Sequence, residues 1–225
     1  MSLHSRPRAG SDQALGERIA VGAAELKLGI DPTQVARFVA YLRLVERWNA
    51  TYNLTAVRDP EQMVMHHVLD CLAAAGALLR RRPASTRRLL DVGSGAGLPG
   101  LVFAVMLPDT SVACVDSVGK KAAFITQAAA VLQARNVTAF HARVEALTGA
   151  YDVVASRAFS SLSNFVGATK HLLADNGEWM ALKGREPRDE VATLKGIHST
   201  VEPVRVPGLE AERCVVWMQC ETIFE

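Results

Sequence analysis

From Leu89 onward the 225-residue chain alternates between two textures, and that alternation limits its fold more than any other feature. Short β-like runs lie at 88–92, 111–116, 136–142, 151–156, 178–183, 198–206 and 213–220. Helical patterns lie at 98–107, 119–134, 160–173 and 186–197. Strands alternating with helices need crossover connections, which build a parallel sheet covered on both faces. The last two runs are joined only by a short stretch containing Pro207 and Gly208, so they read as an antiparallel pair closing one edge. The expected class is α/β: a mostly parallel, twisted sheet with an antiparallel edge strand.

An N-terminal helical segment precedes this unit. Asp31-Pro32-Thr33-Gln34 combines an N-cap, a proline at the first helical position and a capping-box glutamine. Behind it Val35, Phe38, Val39, Leu42, Val45 and Trp48 recur at three- and four-residue spacing, one apolar stripe. Asp59-Pro60-Glu61-Gln62 repeats the start signal for a helix through His66, His67, Asp70 and Leu78. The stretch RRRPASTRR (80–88), with Pro83 and Ser85, is the best linker candidate. It divides the chain into a helical segment, 1–82, packed on a ligand-binding domain, 83–225. No run of about 18 apolar residues marks a membrane helix. The basic start MSLHSRPRAG leads into no apolar core of a signal peptide and reads as a frayed terminus. A cytoplasmic, monomeric protein is expected. The four cysteines form no C-x-x-C pair and read as free thiols. Net charge is only +2, so nucleic-acid binding would need local clusters.

The loop LLDVGSGAGLPGL (89–101) carries two overlapping glycine patterns. Gly95, Gly97 and Gly100 spell the dinucleotide fingerprint, whereas Asp91 with Gly93, Gly95 and Gly97 spells D-x-G-x-G-x-G. The loop follows a strand and opens a helix, where an open α/β sheet binds its ligand. Pyrophosphate favours bare N–H groups and no nearby anion. Asp91 at the strand's end, and Pro99 with no N–H, therefore favour S-adenosylmethionine, which carries an ammonium and a sulfonium. Asp116, ending the next strand, suits ribose hydroxyls, or is simply the N-cap of the following helix. Arg143-Val144-Glu145 lies where an adenine could sit. Ser156-Arg157-Ala158-Phe159 ends the fourth strand, facing the methyl group, and lacks the N-P-P-Y used on exocyclic amines.

Asn53-Leu54-Thr55, HHVLDCL (66–72), DVGSGAGLPG, VDSVGKKAAF (115–124), RVEAL (143–147), SRAF (156–159) and LKGRE (182–186) occur in this order. Jointly they resemble the RsmG (GidB) family of bacterial ribosomal RNA methyltransferases over residues 35–220. The resemblance implies a Rossmann-like class I methyltransferase fold and methyl transfer from S-adenosylmethionine to N7 of one guanosine in 16S rRNA. It gives 16S rRNA or the small ribosomal subunit as partner. Gly93, Leu98, Asp116, Ser117, Val144, Glu145 and Arg157 would line the cofactor site, with Asp91, Ser94, Gly95 and Gly97 completing the loop. Cys71 stands where a serine is expected, and Leu98 where several relatives have phenylalanine.

Guanine N7 is an unprotonated lone pair at neutral pH, so alignment alone can carry the reaction. Arg157 is expected to position cofactor or base; the alternative is a structural pair with Asp152 or Glu145. For RNA, the expected contacts are Lys183, Arg185 and Arg188, together with Asn53 and His67. His66 and Asp70, four apart on one helix, are too few for a metal site, and none is expected. A nicotinamide-dependent oxidoreductase, or a non-catalytic RNA-binding module on the same fold, are the rival classes.

Overall fold

In the computed structural model, residues 10–82, 86–157 and 159–221 are described. Most of the expected frayed terminus, and Pro83 and Ser85 of the expected linker, lie outside them. The chain opens with α1 (Asp12–Glu25) and α2 (Pro32–Tyr52). The capping box forms as read: Asp31 Oδ1 accepts from Gln34 N at 2.8 Å, and Gln34 Oε1 accepts from Asp31 N at 2.9 Å. Phe38, Leu42 and Val45 are fully buried along its inner stripe. Asn53, in the left-handed conformation, ends α2.

The next helix starts at the second cap, where Asp59 accepts from Gln62 N at 2.8 Å. It is not uniformly α-helical. Between α3 (Pro60–Met63) and α4 (Asp70–Arg81), residues Val64–Leu69 form a π-helical stretch. Such widened turns re-aim side chains and occur often at functional sites. The 3.6-residue apolar spacing gave no sign of it. Pro60–Arg81 is long and apolar enough to cross a membrane, but 83% of its most apolar window is buried inside the fold. It is a core helix.

The sheet then follows: β1 (Arg88–Val92), α5 (Gly100–Met106), β2 (Ser111–Asp116), α6 (Gly119–Val131), β3 (Val137–His141), β4 (Tyr151–Ser156), α7 (Leu162–Thr169), β5 (Leu173–Lys183), α8 (Arg188–Ala192), β6 (Ile197–Pro203) and β7 (Cys214–Cys220). The strand order is β3-β2-β1-β4-β5-β7-β6. Strands β1 to β5 are parallel neighbours, as the alternation requires. The expected antiparallel pair closes one edge of the sheet: β6 is the edge strand, and β7 lies one place in, antiparallel to both β5 and β6. After α8 the chain places β6 at the edge, then returns into the gap beside β5. β7 gains two partners and is buried over Cys214–Met218. Helix α8 is also much shorter than the expected 186–197, and β5 begins at Leu173 rather than 178.

One cluster of buried side chains runs from Leu15 and Phe38 through Leu72 and Phe103 to Met180 and Trp217. The helical segment and the sheet thus share a core. The arginines that end α4 brace this packing. Arg81 and Arg82 both reach the Glu178 carboxylate on β5, at 2.6 and 3.4 Å, and Arg80 meets Glu202 on β6 at 2.8 Å. Glu178 is nearly buried, and its removal takes the carboxylate from Arg81 and one of several acceptors from Arg82. Glu178→Ala is expected to lower the unfolding free energy by about 2 kcal/mol in urea denaturation, with little change in slope.

Candidate active site

The carboxyl ends of β1 to β5 carry two cavities, one lined in part by Phe159 and the other by Arg157. The first, of about 340 Å³, is lined by Gly93, Asp116, Ser117, Lys121, Val144 and Glu145, among others. Five of these were expected at the cofactor site. Gly93 has φ 68°, a conformation that favours glycine and keeps a Cβ away from the cleft. Asp116 organises the wall. Its Oδ2 accepts from Gly95 N and its Oδ1 from Val118 N, each at 2.9 Å. A carboxylate offers about four lone-pair sites, so two remain for a pair of hydroxyls. Val92, Val115 and Val144 add apolar surface beside it. Asp116 is not the N-cap of the following helix, which is Val118; it joins the glycine loop to the end of β2.

The other expected loop residues stand behind the cleft. Ser94 and Leu98 are buried; Ser94 Oγ donates to Asp91 O at 2.8 Å, and Leu98 belongs to the core. Gly97 is equally buried, and a Cβ there would lie 2.2 Å from Leu101 Cδ1. Tyr41 of α2, itself buried, donates to Ala96 O at 2.7 Å and so supports the loop from beneath.

Asp91 requires a correction. The sequence reading set its carboxylate toward the ligand, yet it is fully buried. Its Oδ2 accepts from Gly100 N at 2.9 Å, while Oδ1 has no partner among the described residues. Burial pushes its pKa up to about 6. Gly100 is obligatory at this contact, because a Cβ would lie 2.9 Å from Asp91 Oδ2 and 2.5 Å from Cys114 Sγ. Pro99 is corrected too: it precedes α5 as its N-cap rather than standing in its first turn. At the cleft itself, Asp116 and Glu145 share the rim with Lys121 and Arg143. Local charge alone does not choose between a sulfonium and a pyrophosphate.

The second cavity, of about 320 Å³, is lined by His66, His67, Asp70, Arg157, Lys183 and Arg213, among others. Arg157, expected at the cofactor site, lines this cavity and not the first. Its Nη1 donates to His66 O at 3.0 Å and to Asp70 Oδ2 at 3.3 Å. The expected alternative partners do not hold it, since Asp152 Oδ2 accepts from Arg87 N and Arg88 N at 2.7 and 2.8 Å. Arg213, on the other oxygen of Asp70 at 3.0 Å, escaped the sequence reading. It belongs to no motif and follows a polar loop. Only the antiparallel insertion of β7 brings it here.

The expected RNA contacts scatter. His67 and Lys183 line this cavity, but Lys183 Nζ is paired with Glu190 at 3.0 Å. Arg188 pairs with Glu186 at 3.1 Å on the surface. Arg185 has no acidic partner within 4.0 Å among the described residues, and lines a separate surface depression. Asn53 is exposed at the end of α2, its Oδ1 accepting from Arg58 at 2.8 Å, and joins neither cavity.

A seven-stranded sheet in this order, with a glycine loop after β1 and a carboxylate ending β2, defines a Rossmann-like methyltransferase fold. Solved structures agree. O-methyltransferase TomG from Streptomyces achromogenes superimposes with a TM-score of 0.56 at 15% identity, covering 92% of this chain and 99% of that one. Ribosomal protein L11 methylase from Lactobacillus delbrueckii subsp. bulgaricus gives 0.54 at 13% identity, covering 75% and 90%. The family is narrower. The GidB family model, rRNA small subunit methyltransferase G, matches residues 34–216. Ribosomal RNA small subunit methyltransferase G of Paracidovorax citrulli is 49% identical over 219 residues, covering 92% of this chain and 90% of that protein. The protein of the same name from Acidovorax ebreus is 47% identical over 221 residues, covering 93% and 97%. The chain belongs to this family.

The raised pKa of Asp91 sets a pH dependence. A carboxyl that ionises near 6 when folded and near 3.8 when unfolded holds its proton more tightly in the native state. Its stabilising effect is complete below the unfolded value and is lost as pH rises through about 6. Without added cofactor, the unfolding free energy of the wild type should fall between pH 4 and 7, relative to Asp91→Asn, by on the order of 3 kcal/mol. Urea titrations of both proteins at intervals across this range would measure that slope difference.

Proposed function

We propose that this protein transfers the methyl group of S-adenosylmethionine to N7 of a guanosine in 16S rRNA, presented as RNA or within the small ribosomal subunit. The reading places it in the cytoplasm. The observation that carries it is the pair of cavities at the carboxyl ends of the sheet, in a chain of this family. One fits a nucleoside-bearing cofactor: a carboxylate with free lone pairs, a Cβ-free glycine and apolar walls. The other is walled by cations suited to a nucleotide.

When bound, S-adenosylmethionine supplies an electrophilic methyl on a sulfonium. The chain's own task is to hold and align. Asp116 takes ribose hydroxyls, Val144 and its neighbours flank the adenine, and Gly93 admits the backbone close to the ligand. Arg157, with Nη1 fixed between His66 O and Asp70, faces the acceptor side and positions the base. No group need remove a proton, because N7 attacks through an existing lone pair. The local ionisation states agree with that. Asp70 is held in two ion pairs, and burial together with the charge of Arg157 lowers the His67 pKa to about 4, leaving a neutral ring. The rate then rests on proximity and orientation.

Incorporation of tritiated methyl from S-adenosylmethionine into small-subunit RNA or particles, followed by nucleoside mapping to 7-methylguanosine, tests the reading; no incorporation into any form of small-subunit rRNA would overturn it. Two variants should separate the cavities. Asp116→Ala is expected to weaken cofactor binding about tenfold or more in calorimetry. Arg157→Ala should keep cofactor affinity within about twofold while kcat falls at least tenfold. Arg185, the cation of the 183–188 group without an acidic partner, is the proposed phosphate contact there. Arg185→Glu should weaken RNA binding and flatten its dependence on salt.

A further inference from the structure

Arg213 enters none of the steps above, yet it is held as firmly as Arg157. Asp70, 7% exposed, accepts Arg213 Nε on Oδ1 at 3.0 Å and Arg157 Nη1 on Oδ2 at 3.3 Å. The two guanidinium groups come from the end of β4 and the start of β7, with β5 between them in the sheet. A single carboxylate, from the helix, fixes both. Arg213 Nη1 is also committed, donating to Glu212 O at 2.8 Å. That leaves Nη2 without a hydrogen-bond partner among the described residues. Beside them in the cavity wall, His67 is 4% exposed, and neither ring nitrogen has a partner among the described residues. The cavity thus has polar atoms prepared for a ligand.

We propose that Arg213 is a specificity-determining residue that donates through Nη2 to O6 of the target guanine, and that Asp70 is the positioning residue that holds it there. The inference rests on the reading that this cavity receives the methyl-accepting base. Guanine presents two acceptors on that edge, N7 and O6, whereas adenine presents N7 and an amino donor. A guanidinium bonded to both acceptors would occupy the lone pair that must attack. An arginine whose Nε is held on Asp70 and whose Nη1 is drawn to Glu212 O turns Nη2 toward O6 and leaves N7 open. Against adenine the same N–H would meet another N–H, and a buried donor would stay unpaired. Discrimination and an unmasked nucleophile follow from one geometry.

The test compares small-subunit RNA carrying guanosine at the mapped target position with the same RNA carrying 2-aminopurine riboside there, which keeps N7 but has hydrogen in place of O6. Binding is read by filter retention with S-adenosylhomocysteine present, and kcat and KM by methyl transfer. The wild type should favour guanosine by at least tenfold in both. In Arg213→Ala that ratio should collapse toward one, through loss on the guanosine RNA alone, with cofactor affinity within about twofold. Arg213→Lys, which keeps the charge but loses the fork, should behave like alanine. Asp70→Asn should fall between, with its loss mainly in KM. A wild-type-like ratio in both Arg213 variants overturns the assignment while leaving the methyltransferase reading intact. A wild type that methylates neither RNA overturns both. Should Arg213→Ala fail to bind cofactor, the lysine variant decides.

Discussion

The Asp70 carboxylate is the contact through which this molecule acquires its second cavity. The parallel sheet and glycine loop would by themselves make a cofactor cleft, as the fold does elsewhere. The second cavity needs a wall that the sheet does not supply, and the helix from Pro60 to Arg81 provides it. Asp70 ties that helix to the ends of β4 and β7 through Arg157 and Arg213. A carboxylate this buried would be costly unless both oxygens were engaged, and two guanidinium groups satisfy it. The same bonds hold those groups at a fixed separation in the cavity.

The π-helical stretch just before Asp70 belongs to the same arrangement. A widened turn over Val64–Leu69 places His66 O on Arg157 and brings His67 and Asp70 to one cavity, while Val64, Val68 and Leu69 stay in the core. Tyr41 performs the matching task for the other cavity, supporting the glycine loop at Ala96. The helical segment is thus part of both sites, and the shared core from Leu15 to Trp217 keeps them in register.

Where charge lies proved harder to read than where structure lies. Asp91 follows the strand and precedes the glycines, so it looked like the anion facing the ligand; instead it closes the loop on Gly100, and Asp116 is the carboxylate at the cleft. The two positions cannot be distinguished by type or spacing, because alternate residues of a buried parallel strand face opposite layers, both apolar. The arginines of 80–88 suggested a linker, yet Arg80, Arg81 and Arg82 meet acids 96 to 122 residues away. Lys183 and Arg188, expected on RNA, are similarly matched by Glu190 and Glu186. The partners of Arg80, Arg81 and Arg82 became visible only once distant strands were adjacent, whereas Glu190 and Glu186 lie close in the chain to the cations they match.

The sequence by itself determined the parallel α/β plan and the capped helices at Asp31 and Asp59, which follow from local rules of periodicity and capping chemistry. Its resemblance to a family, joined to the rule that a ligand loop follows a strand's carboxyl end, pointed to Gly93, Asp116, Ser117, Val144 and Glu145, which line one cavity. Tertiary structure alone decided the placement of β7 inside the edge, the π-helical turn, the burial of Asp91 and the convergence of Asp70, Arg157 and Arg213. Those depend on which elements meet across long separations, and on desolvation that no single segment specifies. A residue's type states what it can bond, but only packing decides what lies within 3 Å of it.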